Sequence, residues 1–516
     1  MDFIKKHWVT IAFIIILSMG IFARIYDFGN TPYGLNQDEA SLGYDAWADM
    51  TYGMDRNGDH NSIYAAAWGS GQNMLYNYVT RPFIALFGLS IIAIRLPMML
   101  SGIMTMILFY LFLKELFDQK TALLGLFLLA ICPWHIMMSR WGLEANFVVF
   151  TAMLAMYLFV LAHYKALWFI PAMLASALCM YAYSASLVFL IVFIPAIVIY
   201  FAALKIVPWK HLVAGTAAFL ITAIPMGVVL IVNKLELDPF RFLWFTVPNF
   251  SWMRPATPLF QEGNHFFKVL SDNIMRFKDM FIQMNDGFIS NATKFGAIYV
   301  FLIPFIVIGI VRMTALLLDK KVNAVIPAIW FATALIQALI IEININRINM
   351  IFIPFILLAA LGAESVFNRI KGLSYVTVIT CILAFTAFSG YYFNDYNKDA
   401  QPMFFGGFDK IIKFAAEETD GMVYMSSHVN APYMIVMFAQ KIPPSMFASV
   451  VQYADEEIAS QPVSEHARYV TGIPEDITPQ TGDAFIIKYD EEIPPYLDIN
   501  HCHVYRQEFF TVYTVK

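Results

Sequence analysis

"WVTIAFIIILSMGIFARIY" (Trp8–Tyr26) is shortly followed by "GLNQDEASLGYDAW" (Gly34–Trp47). The first stretch decides the fold class. A bilayer core of about 30 Å takes about twenty apolar residues in a helix, and Trp8–Tyr26 is long enough to span it. Lys5 and Lys6 precede it, but no small-residue cleavage site follows, so it reads as a retained first helix. The rest of the 516-residue chain agrees: 59% of it is hydrophobic, 16% aromatic and 14% charged. Soluble domains carry about 25% charged residues. A net charge of −5 favours no nucleic-acid partner.

The same ruler marks eleven spans, near 8–26, 96–117, 121–138, 143–163, 167–183, 185–203, 212–232, 295–313, 322–341, 348–367 and 373–391. With the N-terminus inside, every short inner link carries Lys or Arg, among them Lys114, Lys120, Lys165, Lys210, Lys320, Lys321 and Arg369. The expected architecture is therefore a polytopic α-helical membrane module, 1–391. Its long outer loops are 27–95 and 233–294, and an extracytoplasmic tail follows at 392–516. The outer side also holds arginines that orientation does not need: Arg81, Arg95, Arg140, Arg241, Arg254, Arg276 and Arg347. Snorkelling to lipid phosphates explains such residues singly; a convergent subset facing one cavity is the sharper expectation.

The tail reads as one α/β domain. "GGFDKIIKFAAEE" (406–418) has helical periodicity, and "MVYMSS", "ARYVTGI", "AFIIKY" and "HVYRQEFFTVYTV" read as strands. The four scattered cysteines make neither a disulfide framework nor a C-x-x-C site. "HCH" (501–503) lacks the third and fourth ligands that a closed metal site requires. No internal repeat is evident, which weakens an inverted-repeat transporter reading.

Taken locally, "NQDE" is a helix start, with Asn36 as N-cap and Glu39 closing a capping box. Leu42, Ala46, Trp47 and Met50 then form a stripe that suits a helix lying in the interface. A second interfacial stretch, "GQNMLYNYVTRPFIALFG", follows at 71–88, and Arg140, Trp141 and Glu144 gather at the outer end of another helix pair. Paired acids and aromatics at the outer face suit the polar head of a lipid-linked substrate. "DRNGDHN" (55–61) has its glycine misplaced for a calcium loop and reads as a turn. "NAT" at Asn291 is formally a glycosylation sequon, a match too short to use.

Several segments together resemble a known group. They are "YGLNQDEASLGYDA", "LYNYVTRPFIALFGLSIIAIRLP", "SRWGLEAN", "DNIMRF" and "INRINMIFIPFILLAALGAE", in that order across nearly all of residues 1–391. The chain resembles the GT-C superfamily of polyprenyl-phosphate-sugar glycosyltransferases. It is most similar to the bacterial family that includes protein O-mannosyltransferases and the aminoarabinose transferase acting on lipid A. One departure is Gly71-Gln72-Asn73, where that family often has a charged or His-Pro-Pro-like opening to the second interfacial helix. A carrier-phosphate contact expected there falls to other cations.

The resemblance implies an inverting transfer of a sugar from a polyprenyl phosphate to an acceptor hydroxyl, on the outer face of a bacterial plasma membrane. It names Asp38 as the base that takes the hydroxyl proton. Adjacent helical residues point about 100° apart, so Glu39 is expected to cap or orient rather than share that task. For the departing phosphate it implies Arg276, with Arg347 and Arg140 behind it; arginine forks suit phosphate oxygens. Glu144, Trp141 and Tyr44 are candidates for sugar or acceptor contacts. No metal is required in the nearest relatives, while others of the superfamily use Mg²⁺ or Mn²⁺, which the paired acids are able to bind. The expected partners are a polyprenyl-linked sugar, an acceptor glycan, lipid or protein, and membrane lipids. The alternative is a transporter or flippase of lipid-linked sugars without chemistry; it requires polar residues deep in the spans, where few occur.

Overall fold

The computed structural model describes residues 2–250, 265–284, 293–453 and 463–516; Arg254 and the Asn291 sequon lie outside them. In chain order the helices begin with α1 (Asp2–Ile25), α2 (Gln37–Tyr52), α3 (Leu75–Phe87), α4 (Ile91–Leu116), α5 (Gln119–Ala130) and α6 (Pro133–Met138). Then come α7 (Glu144–Ala162), α8 (Phe169–Ala182), α9 (Ser186–Ala203), α10 (Trp209–Lys234) and α11 (Phe266–Gln283). The last membrane-type helices are α12 (Ile303–Leu318), α13 (Val325–Ile340), α14 (Phe352–Phe367) and α15 (Lys371–Asn394). The tail adds α16 (Tyr396–Phe404), α17 (Phe408–Glu418), α18 (Pro432–Gln440) and α19 (Pro444–Val450).

Among the described residues, 9 helices are long and apolar enough to cross a membrane. The other two expected spans are also apolar but shorter, Gln119–Ala130 and Ala166–Ala182. The expected span 121–138 is not one helix. Asp118 caps α5 by accepting from the Lys120 and Thr121 N–H groups. Pro133, which has no N–H to continue the ladder, ends that run and opens α6.

The chain divides into two compact units. Unit 1 is Met1–Phe28, Met98–Met226 and Pro255–Asn394. Its helices approach closely where side chains are smallest. A Cβ added at Gly309 on α12 would collide with the Leu358 carbonyl on α14, and one at Gly362 would collide with the Phe305 carbonyl. With lipid on the outside, such backbone proximity supplies the packing that holds helices together. Two fully buried arginines tie off helix ends. Arg140 donates to the Arg24 and Asp27 carbonyls, each at 2.9 Å, satisfying the end of α1. Arg24 donates to the Gly20 and Ala130 carbonyls and meets His135 Nδ1 at 2.5 Å. Trp134 Nε1 donates to Asn349 Oδ1 at 2.8 Å, and Asn349 donates to the Ala145 carbonyl.

Unit 2 is Gly29–Pro97, Gly227–Arg254 and Asp395–Lys516. Its strands are β1 (Tyr64–Ala67), β2 (Ser70–Asn73), β3 (Phe240–Phe242), β4 (Phe245–Val247), β5 (Val423–Met425) and β6 (Val451–Tyr453). They continue with β7 (Val463–His466), β8 (Tyr469–Thr471), β9 (Ala484–Lys488), β10 (Cys502–Arg506) and β11 (Phe510–Val515). Residues 71–73, read as the start of an interfacial stretch, instead lie on β2, which pairs as a hairpin with β1. The tail forms a 7-stranded sheet in the order β10-β11-β9-β5-β8-β7-β6. β5 runs parallel to both β8 and β9, and the remaining pairs are antiparallel.

The core of this unit joins distant stretches of chain. Leu35, Ala40, Tyr44 and Ala48 pack in one cluster with Ile94, Phe408, Ile411, Met434 and Phe438. α2 is therefore not a surface helix with one apolar stripe; it is buried on nearly every side. Gly34 permits the entry. Its φ of +98° is a left-handed conformation, and a Cβ there would collide with the Phe404 carbonyl.

Candidate functional site

The start of α2 is built as its sequence predicts. Asn36 Oδ1 accepts from the Asp38 N–H at 2.9 Å, and Glu39 Oε2 accepts from the Asn36 N–H at 3.3 Å. Asn36 also donates to the Met403 carbonyl. Both oxygens of Glu39 are engaged further. Arg95 Nε donates to Oε1 at 2.8 Å and Arg95 Nη2 donates to Oε2 at 2.7 Å. The same guanidinium donates to the Pro32 and Gly34 carbonyls. Glu39 and Arg95 are both 0% exposed, so this is a buried bidentate pair that also clamps the loop entering the helix. Asp38 differs: it is half-buried, and every other residue from Gly34 to Ala46 is buried. Glu39 is thus locked into the scaffold, and Asp38 is the more exposed of the two carboxylates.

Further along α2, two more carboxylates face arginines. Asp45 Oδ1 accepts from the Arg56 N–H at 3.2 Å, and its Oδ2 lies 3.6 Å from Arg56 Nη1. Arg56 donates to Ser41 Oγ, which donates to Gln72 Oε1. Asp49 accepts from Arg81 at 2.7 Å. Burial pushes Asp49 up to about 7, against the pull of Arg81. Burial also raises Asp45, with Arg56 opposing it. The expected turn at 55–61 is present, with Asp55 Oδ1 accepting from the N–H groups of Asn57 and Asp59. Tyr44 is fully buried, and its hydroxyl donates to the Ile442 carbonyl at 2.5 Å, a packing role inside unit 2.

In unit 1, Arg276 on α11 and Arg347 converge on one acid. Arg347 Nη1 lies 2.5 Å from Glu342 Oε2, and Arg276 Nη1 lies 3.6 Å from Glu342 Oε1. Two of the arginines grouped by sequence are thus brought together. The third, Arg140, is buried among the carbonyls at the end of α1 and the rings of Tyr392 and Phe393. Trp141 is 7% exposed, and Glu144 opens α7 at 9%.

Arg56, Glu342 and the pairing of Arg95 with Glu39 escape sequence reasoning. Arg95 lies 56 residues from Glu39, beyond any helical or strand period. Glu342 stands five residues before Arg347 and carried the nearest thing to a signal. The adjacent acids Asp38 and Glu39 do not fit a metal, because Arg95 and the Asn36 N–H take the oxygens of Glu39. Among the described residues, no group of three or more His, Cys, Asp or Glu is placed to hold one. The two histidines of "HCH" pair separately with acids, His501 with Asp498 and His503 with Glu418.

Residues 72–228 match the family model described as dolichyl-phosphate-mannose-protein mannosyltransferase. No curated protein matches the chain in sequence. Among solved structures, ArnT from Cupriavidus metallidurans bound to undecaprenyl phosphate is 12% identical; the match covers 98% of both chains with a TM-score of 0.55. ArnT in the apo state matches over 99% of this chain and 98% of that one, at 12% identity and a TM-score of 0.52. The Archaeoglobus fulgidus oligosaccharyltransferase, tethered with an acceptor peptide containing the NVT sequon, is 13% identical with a TM-score of 0.50. That match covers 85% of this chain, which spans 64% of the oligosaccharyltransferase's length. Residues 72–228 thus match that family, and the chain shares the fold of ArnT over nearly its whole length.

Proposed function

We propose that the protein is an inverting glycosyltransferase. It moves a sugar from a polyprenyl-phosphate donor to an acceptor hydroxyl at the outer face of a bacterial plasma membrane. The observation that carries this reading is the division of labour at the start of α2. Glu39 is consumed by Arg95 and the cap, while its neighbour Asp38 is the one residue of Gly34–Ala46 that is not buried. A carboxylate held on a rigid helix start can take a proton from a hydroxyl as it attacks. The acceptor oxygen forms a bond to the anomeric carbon, the bond from that carbon to the phosphate oxygen breaks, and the proton passes to Asp38. The electron pair leaves with the polyprenyl phosphate. Arg276 and Arg347 are assigned to that phosphate, whose growing charge arginine forks stabilise.

Inversion follows from direct displacement. A retaining path needs a carboxylate nucleophile, and Glu39 is too deeply engaged to serve. The family model matched at 72–228, named for a mannosyl transfer from a dolichyl phosphate, supports a lipid-linked donor, as does the undecaprenyl phosphate bound to ArnT.

The test is transfer from radiolabelled polyprenyl-phosphate sugars to the envelope fraction of membranes. Asp38→Asn is expected to lower transfer by at least about 100-fold, the low end for loss of a general base. Its melting temperature should stay near that of the wild type. An active Asp38→Asn enzyme overturns the assignment.

A further inference from the structure

We infer that Glu342 is an exchangeable internal ligand, which occupies the two arginines until phosphate arrives and then speeds release of the phosphate product. This rests on the reading of Arg276 and Arg347 as donor-phosphate binders.

The backbone around these residues is fixed, while the charged ends are not enclosed. Asn273, one turn before Arg276, is buried and donates to the Leu339 and Ile341 carbonyls, which holds α11 to the end of α13. The Arg347 N–H donates to Asn344 Oδ1 at 2.8 Å, and Gln337 donates to the Arg347 carbonyl. The side chains that meet beyond these anchors are 49% (Arg276), 54% (Glu342) and 25% (Arg347) exposed. Each arginine takes a different oxygen of Glu342, which is how two arginines would share the oxygens of a phosphate. Exposed ion pairs are worth about 0–1 kcal/mol, so the carboxylate is readily displaced by an anion able to accept from both forks.

The charges then favour one side of the reaction. Two arginines and one glutamate sum to +1 (2 − 1). The donor is a phosphodiester with a single negative charge. The product is a monoester carrying about −1.5 to −2 near neutral pH. A carboxylate left beside the site repels the product more than the donor. Glu342 therefore narrows the site's preference for the product over the donor, and so eases release of the product.

The test is binding of undecaprenyl phosphate to the purified full-length protein, for wild type, Glu342→Gln, Arg276→Ala and Arg347→Ala. Loss of the competing charge in Glu342→Gln should tighten binding about three- to tenfold. Its single-turnover transfer should persist while multiple-turnover transfer slows. Unchanged or weaker binding by Glu342→Gln, with melting like the wild type, overturns the proposal. Both arginine variants should bind more weakly. If they bind undecaprenyl phosphate as the wild type does, the phosphate assignment itself falls, whatever Glu342→Gln shows.

Discussion

Glu39 and Arg95 illustrate how much one buried pair can settle. Neither side chain reaches solvent, and Arg95 also holds the Pro32 and Gly34 carbonyls. Removing one partner leaves an uncompensated buried charge, which costs about 3–5 kcal/mol. Arg95→Met is therefore expected to lower the melting temperature clearly and to abolish transfer with it. Asp38→Asn should separate the two effects, losing transfer alone. Comparing melting with activity for both variants distinguishes a positioning residue from a chemical one. The cap at Asn36 was legible in the sequence because its signal is local, three residues wide. Arg95 was visible as an arginine at the outer face, but its partner was not, because the contact depends on how two helices fold together.

At the scale of elements, the spans were the most legible feature. Lipid imposes a run of about twenty apolar residues whatever the tertiary fold, and among the described residues nine of the eleven expected spans coincide with helices long and apolar enough to cross a membrane. What the period missed was interruption and burial: Pro133 divides α5 from α6, and α2 has carboxylates on a buried face because Arg56 and Arg81 meet them. In the tail, β5, β8 and β9 fall within the expected strands, while the stretch expected as one strand at 503–515 divides between the paired β10 and β11, and the sheet order comes from pairings far apart in sequence. Helix contacts make a separate prediction. Gly309→Val would drive side-chain atoms into the Leu358 carbonyl, so α12 and α14 must separate. Overpacking of this kind costs about 1–3 kcal/mol or more. The variant should melt lower in detergent, whereas Gly372→Val, with open space around its Cβ, should change little.

At the scale of the whole molecule, the helix bearing Asp38 shares its core with residues near the other end of the chain. Phe438 on α18 is 3% exposed and belongs to the cluster that includes Tyr44 and Ala48. Phe438→Ala should cost about 3–5 kcal/mol as a cavity in that core. Limited proteolysis should then cut residues 27–95 and the tail at rates that rise together. Cleavage rising in the tail alone would mean that the two stretches are stable independently. Glu342 and its two arginines lie in unit 1, so their undecaprenyl phosphate binding should survive Phe438→Ala.

The placement of Leu35, Ala40 and Tyr44 in one core with Met434 and Phe438 also has a consequence in time. A ribosome adds about 5–20 residues each second. Several hundred residues therefore separate the birth of α2 from the birth of the helix α18 that packs on it, an interval of roughly tens of seconds. Throughout it, the helix start that carries Asp38 exists without its lining, and Asp45 and Asp49 remain hydrated. Nascent chains should acquire the protease-resistant first loop only after α18 has emerged. A ribosome stalled near residue 400 would hold every membrane span and yet no finished Asp38.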